Sequence, residues 1–180
     1  MMSQPIRVSV QMDAESFRKF AVFDLLRHRK GWQRPALFMA ILLVFAGVCL
    51  SQVGAREGAG LLAGVLALVG VGLPAAYFGS FFQNLRSQIK KMGLPRPFYR
   101  LELDDQGISV WMAGEQDKAE PGRRYAWQDL HLAYRTQDAI YLYVHKTQAY
   151  LLNDALDGTW ELLHTVLPEA RLRDLRHTKE

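Results

Sequence analysis

The sequence predicts an α+β membrane protein: a two-helix transmembrane hairpin joined to a small antiparallel β-barrel or curved sheet, which a C-terminal helix caps. Three observations carry this expectation. Two uncharged stretches are each long enough to cross a bilayer, short alternating segments follow them, and an amphipathic helical pattern closes the chain. The mean hydropathy of −0.07 conceals the pattern, because it averages a very apolar middle with polar flanks. A chain of 180 residues has room for one ordinary domain and a modest appendage.

The first span is residues 35–53 (PALFMAILLVFAGVCLSQV), which at 1.5 Å per residue covers roughly 28 Å. The second, residues 61–82 (LLAGVLALVGVGLPAAYFGSFF), is long enough to cross with some tilt. Two buried core helices would be the rival reading, but so small a chain cannot bury both. Val53-Gly54-Ala55 imitates a signal-peptide cleavage site, yet 34 residues precede the first span and a second span follows at once. The connection 54–60 (GAREGAG) is short and turn-prone, so the spans are expected to be antiparallel neighbours. Small residues at Ala40, Gly47, Gly72, Ala76 and Ser80 would allow close helix approach, and Pro74 is expected to kink the second helix. The lone cysteine, Cys49, excludes an intramolecular disulfide framework and reads as a packing residue.

Orientation follows from the flanking cations. Arg18, Lys19, Arg27, Arg29, Lys30 and Arg34 precede the first span, whereas Arg86, Lys90, Lys91, Arg96 and Arg100 follow the second. Both flanks, and with them both termini, are therefore expected in the cytoplasm. Half of the 22 Lys and Arg lie in these two flanks, and they are also placed to attract anionic lipid headgroups. Nucleic acid is not an expected partner, since the region after Glu102 mixes acids and bases evenly and offers no basic face.

Residues 1–34 read as a cytoplasmic strand and basic helix. Ile6, Val8, Val10 and Met12 alternate along one face, then Asp13 is placed to cap a helix carrying Phe17, Phe20, Ala21 and Leu25. Whether that strand joins the C-terminal sheet stays open. After the hairpin (35–82), residues 83–97 read as a basic, proline-bearing linker, 98–170 as the β domain and 171–180 as a polar tail. Tyr99, Leu101 and Leu103 share one strand face, Asp104–Gly107 forms a turn, and 113–122 reads as an exposed loop. Further strands are expected at 123–127, 130–135, 139–145 and 148–152, about six in all, and all antiparallel. Asp157 is placed to cap a final helix whose stripe of Leu156, Trp160, Leu163 and Leu167 must cover the sheet.

The phrase Tyr125-Ala-Trp127-Gln-Asp129-Leu130, followed by the apolar strand 139–144, resembles the YcxB-like proteins of bacteria. The order of elements resembles them over nearly the whole chain. The resemblance implies a multi-pass protein of the inner (plasma) membrane with a pleckstrin-homology-like C-terminal domain, and it implies no established chemistry.

The residues themselves offer no catalytic constellation. Gly70-Val-Gly72-Leu-Pro-Ala75 imitates a dinucleotide fingerprint but sits inside an uncharged span. His28, His131, His145, His164 and His177 lack metal-ligand spacing, the adjacent Asp104 and Asp105 are explained by a turn, and Ser109 has no nucleophile elbow. No catalytic, cofactor-binding or metal-ligating residue is assigned. The expectation is a membrane-anchored, non-catalytic cytoplasmic module that binds or regulates, with the bilayer, anionic headgroups, a protein or a second copy of the chain as partners. The competing readings are a subunit of a transport or oligomeric assembly and an uncharacterised membrane enzyme.

Overall fold

The computed structural model describes residues 5–115 and 117–176, so Gln116 in the expected loop and His177 in the expected tail lie outside the described residues. The chain divides into two compact units: Ala14–Leu94, and the N-terminal strand together with everything from Pro95 onward.

In the helical unit, α1 (Ala14–Phe23) carries an ion pair of 3.2 Å between Glu15 and Lys19, one turn apart, while Phe17, Phe20 and Ala21 are half-buried. It runs into a π-helical turn over Asp24–His28. There the Arg29 N–H donates to the Asp24 carbonyl at 2.8 Å, and the Arg29 guanidinium pairs with the Asp24 carboxylate at 2.7 Å. Lys30 adopts a left-handed φ of 49° and Gly31 N–H donates to Leu25 O at 2.7 Å, which turns the chain into α2 (Gln33–Leu50).

α2 and α3 (Ala59–Met92) pack against each other, and both are long and apolar enough to cross a membrane. Only 6% of the apolar window of α2 and 17% of that of α3 is buried, which is the reverse of what a soluble core helix shows. The seam uses residues other than those expected. Ala46, Ala63, Gly70 and Pro74 are buried, and a Cβ on Gly70 would lie 3.1 Å from the Leu42 Cβ, so the helices approach closely there. Ala40, Gly47, Gly72, Ala76 and Ser80 are all exposed, and their small size is not spent on this contact. Nor is 83–97 a linker. α3 continues through Gln83-Asn-Leu-Arg-Ser-Gln-Ile-Lys-Lys-Met92, residues that favour helix, and ends at Gly93 with a left-handed φ of 61°.

The second unit contains two four-stranded sheets and not a closed barrel. Sheet order in the first is β1 (Ile6–Met12), β2 (Arg96–Leu103), β3 (Gly107–Met112), β4 (Arg123–Ala126), all antiparallel. The N-terminal strand therefore does join the C-terminal region, with Ile6 opposite Leu103 and Met12 opposite Arg96. Asp104 makes the β2–β3 turn, its Oδ1 accepting the N–H groups of Gln106 (2.7 Å) and Gly107 (2.9 Å). Among the described residues neither β4 with the next strand nor β1 with a strand of the second sheet is paired, so the sheets stay open; the chain leaves the first sheet at the 3₁₀ turn Trp127–Asp129, where Trp127 is buried and its indole N–H donates to Asp104 O at 2.9 Å.

The second sheet runs β7 (Gln148–Leu152), β6 (Ile140–His145), β5 (Leu132–Arg135), β8 (Leu172–Asp174). β8 falls in the segment expected as a polar tail, and it pairs in parallel with β5, Ala133 opposite Leu172, so the unit is mixed in sense. Parallel pairing needs a crossover, which α4 (Leu156–Val166) supplies. Trp160, Leu163 and Leu167 are buried as the stripe requires. Asp157 is not the cap: Ala155, in a left-handed conformation (φ 50°), holds that position and Asp157 lies in the first turn. Val8, Val10, Leu101, Leu103, Ile108, Val110, Ile140, Leu142 and Leu152 are almost wholly buried; burial alternates along β1 and β2, whereas β3 and β6 are buried on both faces.

Candidate functional site

In the helical unit the segment between the π-helical turn and α2 faces α3 across a groove of about 720 Å³. Its polar wall is Arg29, Lys30, Gln33 and Arg34, and its apolar wall is Phe38 from α2 with Leu73, Pro74 and Tyr77 from α3. Local sequence builds the wall directly. The turn at Gly31 brings Arg29 and Lys30 beside Arg34, and no acidic residue stands in the first turn of α2. A Cβ on Gly31 would lie 2.7 Å from Leu25 Cδ1, so the glycine lets the chain turn tightly over Leu25, while the Tyr77 hydroxyl of α3 stands at an ordinary contact distance of 3.5 Å. Arg29 is held by Asp24, whereas Lys30 and Arg34 enter no ion pair among the described residues.

The other expected interface cations divide. Arg86 and Lys90 share a second open groove of about 760 Å³ with Gly79, Phe82, Gln83 and Ser87, all on one face of α3. Arg27 and Lys91 are exposed and line neither groove. Sequence reasoning found every cation but missed the apolar wall, because Phe38 and Leu73 look like lipid-facing residues until the helices are paired.

The two-sheet unit places polar groups at three points. Tyr99 hydrogen-bonds to both backbone groups of Leu151, and Tyr150 meets the Tyr125 hydroxyl at 3.1 Å and the Gln148 amide at 3.3 Å. Burial holds the Tyr99 phenol well above its ordinary range; burial, then the bond with Tyr125, pushes Tyr150 up to about 12. Both are therefore neutral near pH 7. Arg135 is 4% exposed and gives Nη2 to Asp157 at 3.1 Å, while its Nε and Nη1, like Thr159 Oγ1, have no partner among the described residues. A shallow cleft of about 250 Å³ brings His131, His145, Lys146 and Asp129 near Arg171, whose Nη1 donates to the carbonyls of Gln128 (2.9 Å) and Leu130 (2.8 Å). His164 packs edge-on against Trp160, its ring centroid 5.2 Å away. Among the described residues no group of three or more His, Cys, Asp and Glu could hold a metal ion. Gly70 and Gly72 lie within α3, and the element directly before it is the helix α2, not a strand.

No family model matches the chain, and no curated protein or solved structure matches it.

Proposed function

We propose that the chain is a multi-pass protein of the inner (plasma) membrane, its α2–α3 hairpin crossing the bilayer with both termini cytoplasmic. The two-sheet unit is then a membrane-anchored cytoplasmic module that binds or regulates a partner without catalysis. The observation that carries this reading is the outer surface of the hairpin. Leu37 (64% exposed), Val44 (66%), Leu61 (78%) and Leu68 (75%) belong to a continuous apolar surface over both helices, far larger than a water-soluble monomer exposes. Hydrocarbon is the solvent that suits it. The cations gathered at the N-terminal end of α2 and the C-terminal end of α3, against one Arg and one Glu in the connecting loop, favour the cytoplasm for the polar ends.

In a Cys49→Ser background, a cysteine at Glu57 should react with an impermeant maleimide on intact cells, and one at Gln116 only after lysis. Reaction at Gln116 on intact cells would reverse the topology. A second reading, a subunit of an oligomeric assembly, is favoured by Gly72, Ala76 and Ser80, which follow one another at helical spacing on the exposed side of α3. Cross-linking through a cysteine at Ala76 would separate the two: dimers support the assembly, and monomers throughout support the isolated module.

A further inference from the structure

We propose that the groove between the Arg29–Arg34 turn and α3 binds one anionic phospholipid, with its phosphate against Lys30, Arg34 and Arg29 and the upper part of an acyl chain along Phe38 and Leu73. The inference rests on the membrane reading above and deepens it by naming the ligand class. The groove straddles the border where the chain passes from charged to uncharged sequence, Arg34 on one side and Phe38 one turn further on. A ligand that fills it must be anionic at one end and apolar at the other. A free phosphate would leave the Phe38–Leu73–Pro74 wall wet, and a neutral lipid would leave Lys30 and Arg34 without a counter-charge. An acidic protein segment would have to place its own backbone against that apolar wall at the depth of the hydrocarbon, where unpaired N–H and C=O groups are costly.

Two further observations agree. Lys30 holds a left-handed backbone (φ 49°), a conformation that glycine or asparagine takes with less strain, so a lysine stands there against local preference with its charge at the groove. Tyr77 stands beside Gly31 with its hydroxyl at the polar end, where an amphipathic ring can meet both headgroup and chain.

The test is a titration of the full chain, purified in a neutral detergent, with phosphatidylglycerol or phosphatidylcholine, read by native mass spectrometry. One phosphatidylglycerol per chain should bind saturably, and phosphatidylcholine should not. Lys30→Asn with Arg34→Gln, which removes two charges without breaking an ion pair, should weaken binding at least tenfold, whereas Arg86→Gln with Lys90→Gln should leave it within about twofold. Phe38→Ala should weaken it severalfold, and millimolar inorganic phosphate should not compete. Equal loss in both double variants, unsaturable uptake, equal binding of phosphatidylcholine or displacement by phosphate would each overturn the proposal. Thermal unfolding of each variant excludes collapse as the cause of a loss. Carbonate washing of cell membranes separates the two levels. A protein that stays in the pellet yet binds no phosphatidylglycerol sinks the groove alone, and one released to the supernatant sinks the membrane reading as well.

Discussion

The Tyr99 hydroxyl occupies both backbone groups of Leu151, donating to its carbonyl at 2.8 Å and accepting its N–H at 2.6 Å. Leu151 lies on β7, the edge strand of the second sheet, and Tyr99 on β2 of the first. A single side chain thus does for the free edge what a neighbouring strand would do. Tyr99→Phe keeps the ring contact with Tyr150 but leaves a buried N–H and C=O unpaired, and should destabilise the unit by about 1–3 kcal/mol in chemical denaturation. An unchanged midpoint would show that water replaces the hydroxyl.

Alkaline pH should attack the same region. The folded-state pKa values of Tyr99 and Tyr150 are raised above the ordinary value of 10, so their contribution to stability is fully present below about pH 10 and is lost as pH rises through the folded values, near 12 for Tyr150. The melting temperature should fall between pH 10 and 12, and it should fall less steeply in Tyr150→Phe. A flat profile in the parent protein would contradict the assignment.

Gly70 and Gly72, two residues apart on α3, should respond unequally to a larger side chain. Gly70 faces Leu42 at the seam, whereas a Cβ on Gly72 has nothing within 4 Å. Gly70→Leu should push the helices apart and lower the melting temperature of the detergent-solubilised protein, and Gly72→Leu should leave it within about 2 °C. Equal effects would mean that the seam is elsewhere.

Trp160 anchors α4 with 6% of its surface exposed. Because β1 belongs to the sheet, a fragment beginning at Pro95 is incomplete, and the unit to study is residues 1–13 joined by a short Gly-Ser turn to 95–180. This chain should be soluble and folded, and Trp160→Ala should cost it about 3–5 kcal/mol in urea unfolding. A negligible change would remove α4 from the core.

The two long apolar helices, the β2–β3 hairpin and the α4 stripe were legible because each is written in a local pattern of the sequence. What was not legible depended on partners. The first-sheet place of β1 is set by pairing with residues about ninety positions away, and β8 hides among Arg171, Arg173 and Asp174 because only Leu172 of its three residues is buried. The barrel expectation failed because alternation gives the faces of strands and not which edges bond. The helix seam was misplaced for a related reason: Ala63, Gly70 and Pro74 recur at spacings of seven and four, but Gly72, Ala76 and Ser80 offered an equally regular row. The groove was half legible, its charges visible in the sequence and its apolar wall created only by pairing α2 with α3. The resemblance to YcxB-like proteins rested on element order and a short phrase around Trp127, and no family model carries it.

The register of β1 on β2 has a mechanical meaning. Met12 pairs with Arg96, so the chain leaves this sheet and returns to it at the same rung. Any movement that draws Asp13 away from Pro95 loads that rung first and then the next, as a zip is opened. Resistance to such a pull is set by one pair of strands at one rung at a time, whereas a pull along the strands would have to shear every rung from Met12 to Ile6 together.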